Sequence, residues 1–245
     1  MRNGEGAVIV AEWLRYHARL HGLQGAVIID RAGPDVDDTF SRRLRRTLEK
    51  TPAEGLATLV VLSCDEPLGR EGRGPEAHPF NAPDAPGKDR MAPPDPDPWA
   101  APFAEPVIFE LIRCWFLGHA RAVLNIEAHD LLRPPVPANV FDLAVTSDVG
   151  MIPLIGERIY PWGLRKGKRA AFGDHICRRF DGIPANPRWC LAPAKVDPAA
   201  NWQHIRVGGV TPTSKPIVYD RCMALRHPGR KVSKIVPKAS LIENE

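Results

Sequence analysis

Residues 25–50 read GAVIIDRAGPDVDDTFSRRLRRTLEK, and they contain a strand, a turn and a helix in that order. Gly25 to Ile29 is a short apolar run with β-forming residues, closed by Asp30. Gly33-Pro34 is turn chemistry, and the aspartates after it suit a helix N-terminus. Phe40, Leu44 and Leu48 then recur at a spacing of four, with arginines on the opposite face, which predicts an amphipathic helix. Upstream, AVIVAEWLRYHARLHG (7–22) places Val10, Trp13, Leu14 and Leu20 at helical spacing, with Gly22 as its stop. Downstream, LATLVVLS (56–63) is a second buried strand. Helices alternating with strands predict an α/β domain whose central sheet is mostly parallel, with helices on both faces. One domain is expected to take in residues 1–245.

The pattern dissolves from Glu66 to Pro106, where eleven of the 26 prolines fall. Proline removes amide donors and restricts the residue before it, so this segment predicts a long loop, either mobile over a site or an insertion. EPVIFELIRCWFLGHA (105–120) restores a helical apolar face through Val107, Ile108, Leu111, Ile112, Trp115 and Phe116. RAVLNIE (121–127) follows as a third strand. Residues 26–30, 58–62 and 123–127 are expected side by side in one sheet, with their carboxyl ends on one rim.

A net charge of +4 on 245 residues does not by itself argue for nucleic acid. Basic residues concentrate at Arg165, Lys166, Lys168 and Arg169 and in a tail over 221–245. Such clusters suit phosphates, an acidic acceptor, an anionic membrane surface or simply a solvated face. The five cysteines form no CxxC pair, which fits reduced thiols. No apolar run reaches membrane-spanning length, and Glu12 and Trp13 interrupt the only N-terminal apolar patch, so no signal peptide is read. The expectation is a cytoplasmic protein, with peripheral attachment to the inner membrane as the alternative. No phosphate-binding glycine loop, serine elbow or dinucleotide fingerprint is present.

AVLNIEAHDLL (122–132) ends an apolar strand in Glu127, His129 and Asp130. In open α/β sheets ligands bind beyond the carboxyl ends of strands, so these groups meet the expected crevice, as does Asp30. They read as a metal or proton-transfer cluster, or as a capped turn with an exposed histidine.

RNGEGAVIVAEWLRYHARLHGLQGAVIIDRAGPDVDDT (2–39) resembles the opening of bacterial glycosyltransferases of the family 2-like and family 92-like group. Arg2, Asn3, Glu12, Trp13, Tyr16, His17, Gly22 and Asp30 fill the places of that pattern. LNIEAHDLL is similar to the group's strand ending in Asp-x-Asp-Glu. RRFDGIPANPRWCLAPAKV with NWQHIRV is similar to its C-terminal part. The resemblance implies a GT-A fold that moves a sugar from a nucleoside-diphosphate donor, a UDP-sugar above all, to a glycan, lipid-linked or protein acceptor. It implies that Arg2, Asn3, Asp30 and Glu127 bind the nucleotide-sugar. Glu127 and His129 stand where the group has Asp-x-Asp, and His204 matches its late histidine, so these three would ligate a divalent ion. A bridging cation stabilises charge on the leaving diphosphate. Imidazole favours Mn²⁺ over Mg²⁺, with Mg²⁺ as the alternative. Asp130 would orient the metal shell or the acceptor. Asp148, Asp174 and Asp181 are candidates for the general base, Asp174 being preferred for its place in the C-terminal half. A non-catalytic binding or scaffold protein on the same core is the alternative function, and no nucleic-acid partner is expected.

Overall fold

The computed structural model describes residues 2, 4–31, 39–63, 66–75, 80, 88–102, 105–134, 139–161, 170–178, 185–197, 202 and 216–222. Asn3, Asp181, His204, the cluster at 165–169 and the tail beyond residue 222 lie outside the described residues.

The N-terminal half follows the sequence pattern. Helix α1 (Ala7–His21) ends at Gly22, whose φ of 67° is the left-handed geometry that glycine adopts without a Cβ clash. Gly22 N donates to Ala18 O and Leu23 N to His17 O, closing the last turn. Strand β1 (Gly25–Asp30) follows, then helix α2 (Phe40–Lys50) and strand β2 (Thr58–Ser63). β1 and β2 are parallel, with Gly25 opposite Thr58 and Asp30 opposite Ser63. Val10, Leu14 and Ala18 of α1 pack with Ile28 of β1 and with Phe40 and Leu44 of α2, so the expected apolar stripes face one core.

The Pro-rich segment is irregular where described but folded back on itself. Its one described regular element is a 3-10 turn, Lys88–Arg90. Gly69 N donates to Pro98 O, Arg70 N to Pro102 O and Asp97 N to Arg73 O. The Arg31 guanidinium donates to Ala101 O, and Ala101 is fully buried. Helix α3 (Glu105–Ile112) passes into a π-helical turn, Arg113–Leu117. Ile108 and Ile112 are buried while Val107 faces outward on the same helix, and the wider turn carries Trp115 off the buried face, where it is exposed.

The C-terminal half departs from the expected parallel sheet. β3 (Val123–Asn125) stops two residues short of Glu127, and the chain turns into β4 (Asp130–Leu132). Helix α4 (Val140–Thr146), β5 (Met151–Pro161), β6 (His175–Arg178), β7 (Ala185–Leu191) and β8 (Ile217–Cys222) complete the described elements. The larger sheet runs β3-β7-β5-β8-β4, with β6 beside the end of β5. Only β5 and β8 pair in parallel; the other pairs are antiparallel. β3 is thus hydrogen-bonded into a different sheet from β1 and β2, which corrects the single parallel sheet expected for the three segments. The physical reason lies in the connections: no described α-helix separates β5, β6 and β7, and β5 pairs antiparallel with both β6 and β7. The supported class is mixed α/β. The expected basic tail also begins too early, because Arg221 belongs to β8.

Candidate functional site

The turn between β3 and β4 is built by its own residues. Asp130 N donates to Glu127 O, and Glu127 N donates back to Asp130 Oδ2 at 3.0 Å. Cys222 N donates to His129 O, tying the turn to β8. Asp130 is therefore the capping residue of this turn, while His129 is buried and not an exposed loop residue.

Helix α1 holds the next strand from outside. Trp13 Nε1 donates to Asp130 O at 2.8 Å, and Tyr16 Oη donates to Leu132 O at 2.8 Å. His21 Nε2 lies 2.9 Å from the same Leu132 oxygen, to which it donates. Leu132 N donates to His17 Nε2 at 3.3 Å, while His17 Nδ1 lies 2.9 Å from Trp13 O. Accepting at one nitrogen and donating at the other fixes a neutral His17. Burial drives its pKa down to about 3 and lowers that of His21 as well. The Trp, Tyr and His of the N-terminal motif thus serve as a clamp on β4.

Six charged or titratable side chains meet inside this clamp. Glu5, fully buried, places Oε1 3.1 Å from His129 Nδ1. His129 Nε2 lies 3.4 Å from Glu127 Oε2 and 3.7 Å from Asp130 Oδ1. Arg188 of β7 pairs with Glu127 Oε1. Arg221 donates to Asp130 through Nε at 3.0 Å and Nη2 at 3.1 Å, and lies 3.5 Å from Glu127. Burial pushes the Asp130 carboxyl up, but Arg221 and then His129 outweigh it and hold it below its usual range. Burial acts downward on Arg221, yet Asp130 and Glu127 raise its pKa further above the usual arginine value. Three carboxyl groups face two guanidiniums, and the ring of His129 sits between carboxyl groups at both of its nitrogens.

Beside the cluster, Arg2 and Asp30 form a buried ion pair at the end of β1. Arg2 Nε also donates to Glu5 O at 2.7 Å, and its guanidinium stacks 4.0 Å from the Phe40 ring centroid. The N-terminal segment therefore links the end of β1 to the turn after β3: Arg2 holds one and Glu5 the other. The structure brings Glu127, His129 and Asp130 together and sets Arg2 beside Asp30. It does not bring Asp174 to them. Asp174 sits in a 3-10 turn, Phe172–Asp174, and accepts from Ala171 N at 2.8 Å. Asp148 is exposed.

Glu5, Arg188 and Arg221 escaped the sequence reading. Arg188 is the one arginine of an otherwise mostly uncharged strand, which is the signal that could have found it. Among the described residues no group of three or more His, Cys, Asp or Glu side chains is arranged to hold a metal ion. Arginines pair with Glu127 Oε1 and with both Asp130 carboxylate oxygens, where a cation would otherwise compete. No helix among the described residues is long and apolar enough to cross a membrane. No family model, curated protein or solved structure matches the chain.

Proposed function

We propose that the protein is a non-catalytic binding or scaffold protein, built on the core of the glycosyltransferase group that its sequence resembles. The observation that carries this reading is the pairing of Glu127 with Arg188 and of Asp130 with Arg221, all within the interior. In a working donor site those carboxylates would be kept for a cation that bridges a diphosphate. Here fixed guanidiniums take that place, and the turn becomes part of the fold. The residues as arranged do not fit a divalent ion. The GT-A architecture belongs to this reading through the order of the motifs, not through the observed strand order.

A metal-dependent transferase is the second reading, and one observation favours it. Glu127 Oε2 and Asp130 Oδ1 lie 3.4 and 3.7 Å from His129 Nε2, so the three groups share one turn. On that reading Mn²⁺, or Mg²⁺, would be held by Glu127 and His129, the donor would be a UDP-sugar, and the acceptor a glycan, lipid or protein hydroxyl.

A panel of nucleotide sugars assayed for hydrolysis and transfer, with and without Mn²⁺, separates the two. The scaffold reading expects no turnover in either condition. Turnover that requires Mn²⁺ and disappears in Glu127→Ala establishes the transferase instead.

A further inference from the structure

Helix α2 carries Arg42, Arg43, Arg45, Arg46 and Lys50 against one carboxylate, that of Glu49. Its net charge of +4 equals that of the whole chain, so the rest of the sequence balances to zero. All five basic side chains are exposed. A solvated face ordinarily mixes both signs, and one this one-sided attracts negative partners. Arg45 is answered within the helix, by Glu49 at 3.0 Å. Among the described residues no carboxylate pairs with Arg42, Arg43 or Arg46.

Beside these charges runs an apolar groove of about 600 Å³. Leu44 and Leu48 of α2 line one wall, Leu59 and Val61 of β2 the other, and Leu56 the connection between them. Leu48, Leu56, Leu59 and Val61 are only half-buried. Arg45 and Glu49 stand on the rim, and at 3.6 residues per turn Arg42 and Arg46 follow them on the crest of the helix, opposite Leu44. A partner that fits must therefore offer apolar side chains to the groove and carboxylates beside them. The geometry points to a docking site for an acidic amphipathic helix of another protein, with its apolar stripe in the groove and its carboxylates on Arg42 and Arg46. Carboxylates meet guanidiniums in paired N–H···O bonds. Arg42 and Arg46 are four residues apart, a rise of ~6 Å, and glutamates four apart on a partner helix repeat that spacing. Apolar anchors one and two turns apart are what such a helix lays into a groove. A nucleic acid would meet the arginines but leave the groove empty, and α2 exposes no aromatic ring on which a base could stack. This surface uses none of the charged side chains around His129 and stands independently of the proposed function.

The probe is a labelled peptide of about four helical turns, with leucines along one stripe and glutamates on both flanks. One control peptide replaces every Glu with Lys, and the other every Leu with Ala. Fluorescence anisotropy reads their binding to the full chain. The Leu/Glu peptide should bind at least about tenfold more tightly than either control. Its binding should weaken at about 1 M salt, where charges are screened beyond ~3 Å. Arg42→Glu with Arg46→Glu reverses the charge of the crest without touching a buried residue. That variant should release the Leu/Glu peptide and take the Leu/Lys peptide instead, while Arg42→Gln with Arg46→Gln should distinguish the two by less than the unaltered chain does. Four results overturn the proposal: no preference for the Leu/Glu peptide, a preference that survives charge reversal, tighter binding of duplex DNA or phosphatidylserine vesicles than of the peptide, or a dimer of the unaltered chain that the same reversal dissolves.

Discussion

Asp130 and Arg221 face each other as register partners across the antiparallel β4–β8 pair, and the guanidinium donates twice to the carboxylate, at 3.0 and 3.1 Å. Asp130 is fully buried, and the Arg221 side chain is 11% exposed. A buried pair of this kind adds little over a well-packed apolar pair, but breaking it strands a charge. Arg221→Met should therefore cost about 3–5 kcal/mol in urea unfolding. Adding Asp130→Leu to it should recover part of that loss. The Asp130 carboxyl is held below its ordinary range, so its contribution is present above the ordinary carboxylate pKa and is lost as pH falls through the lowered value.

His17 gives a second pH dependence of known sign. Its folded pKa of about 3 lies below the unfolded value of 6.5. Stability from the neutral ring is complete above 6.5 and declines as pH falls toward 3, because the unfolded chain takes up the proton first. At pH 5 the loss should be about 2 kcal/mol relative to pH 8. Urea midpoints measured across this range should fall, and His17→Gln should flatten the slope. A slope unchanged by the substitution would remove His17 from the account. His21 acts in the same direction, so some slope should remain.

The α1 clamp can be dissected one bond at a time. Tyr16→Phe removes the donor to Leu132 O and should cost about 1 kcal/mol. Trp13→Phe removes the donor to Asp130 O and some packing, with a somewhat larger effect. If the clamp positions the turn, both variants should speed amide exchange at Asp130 and Leu132 while leaving β2 unchanged.

Gly69 tests whether the Pro-rich segment is folded. A Cβ at this position would collide with Pro98 O, a backbone atom that cannot simply rotate away. Gly69→Ala should separate residues 66–75 from 94–102, and limited proteolysis should then cut this segment sooner than in the parent chain. Equal cleavage rates would mean that the contact contributes nothing.

The N-terminal elements were legible because their signals are local. Phe40, Leu44 and Leu48 define their helix face without outside help, and Gly22 marks its own left-handed stop. The larger sheet was not legible, because its pairings are long-range: Asn125 meets Trp189, and Leu132 meets Tyr219. Glu127, His129 and Asp130 stood out as a polar turn after an apolar strand. What neutralises them did not, since Arg188 and Arg221 arrive from strands 61 and 91 residues away. Trp13, Tyr16 and His17 showed as a motif, but nothing in their spacing reveals that they bond a strand more than 100 residues later.

The most direct test of the central claim is thermal unfolding of the unaltered protein in chelator and in Mn²⁺ with uridine diphosphate. A ligand that binds only the folded state raises the midpoint. With the turn's carboxylates committed to Arg188 and Arg221, the midpoint should be the same in both conditions. A midpoint that rises with Mn²⁺ and nucleotide together, and no longer rises in Glu127→Ala, would contradict the account and return the cluster to catalysis.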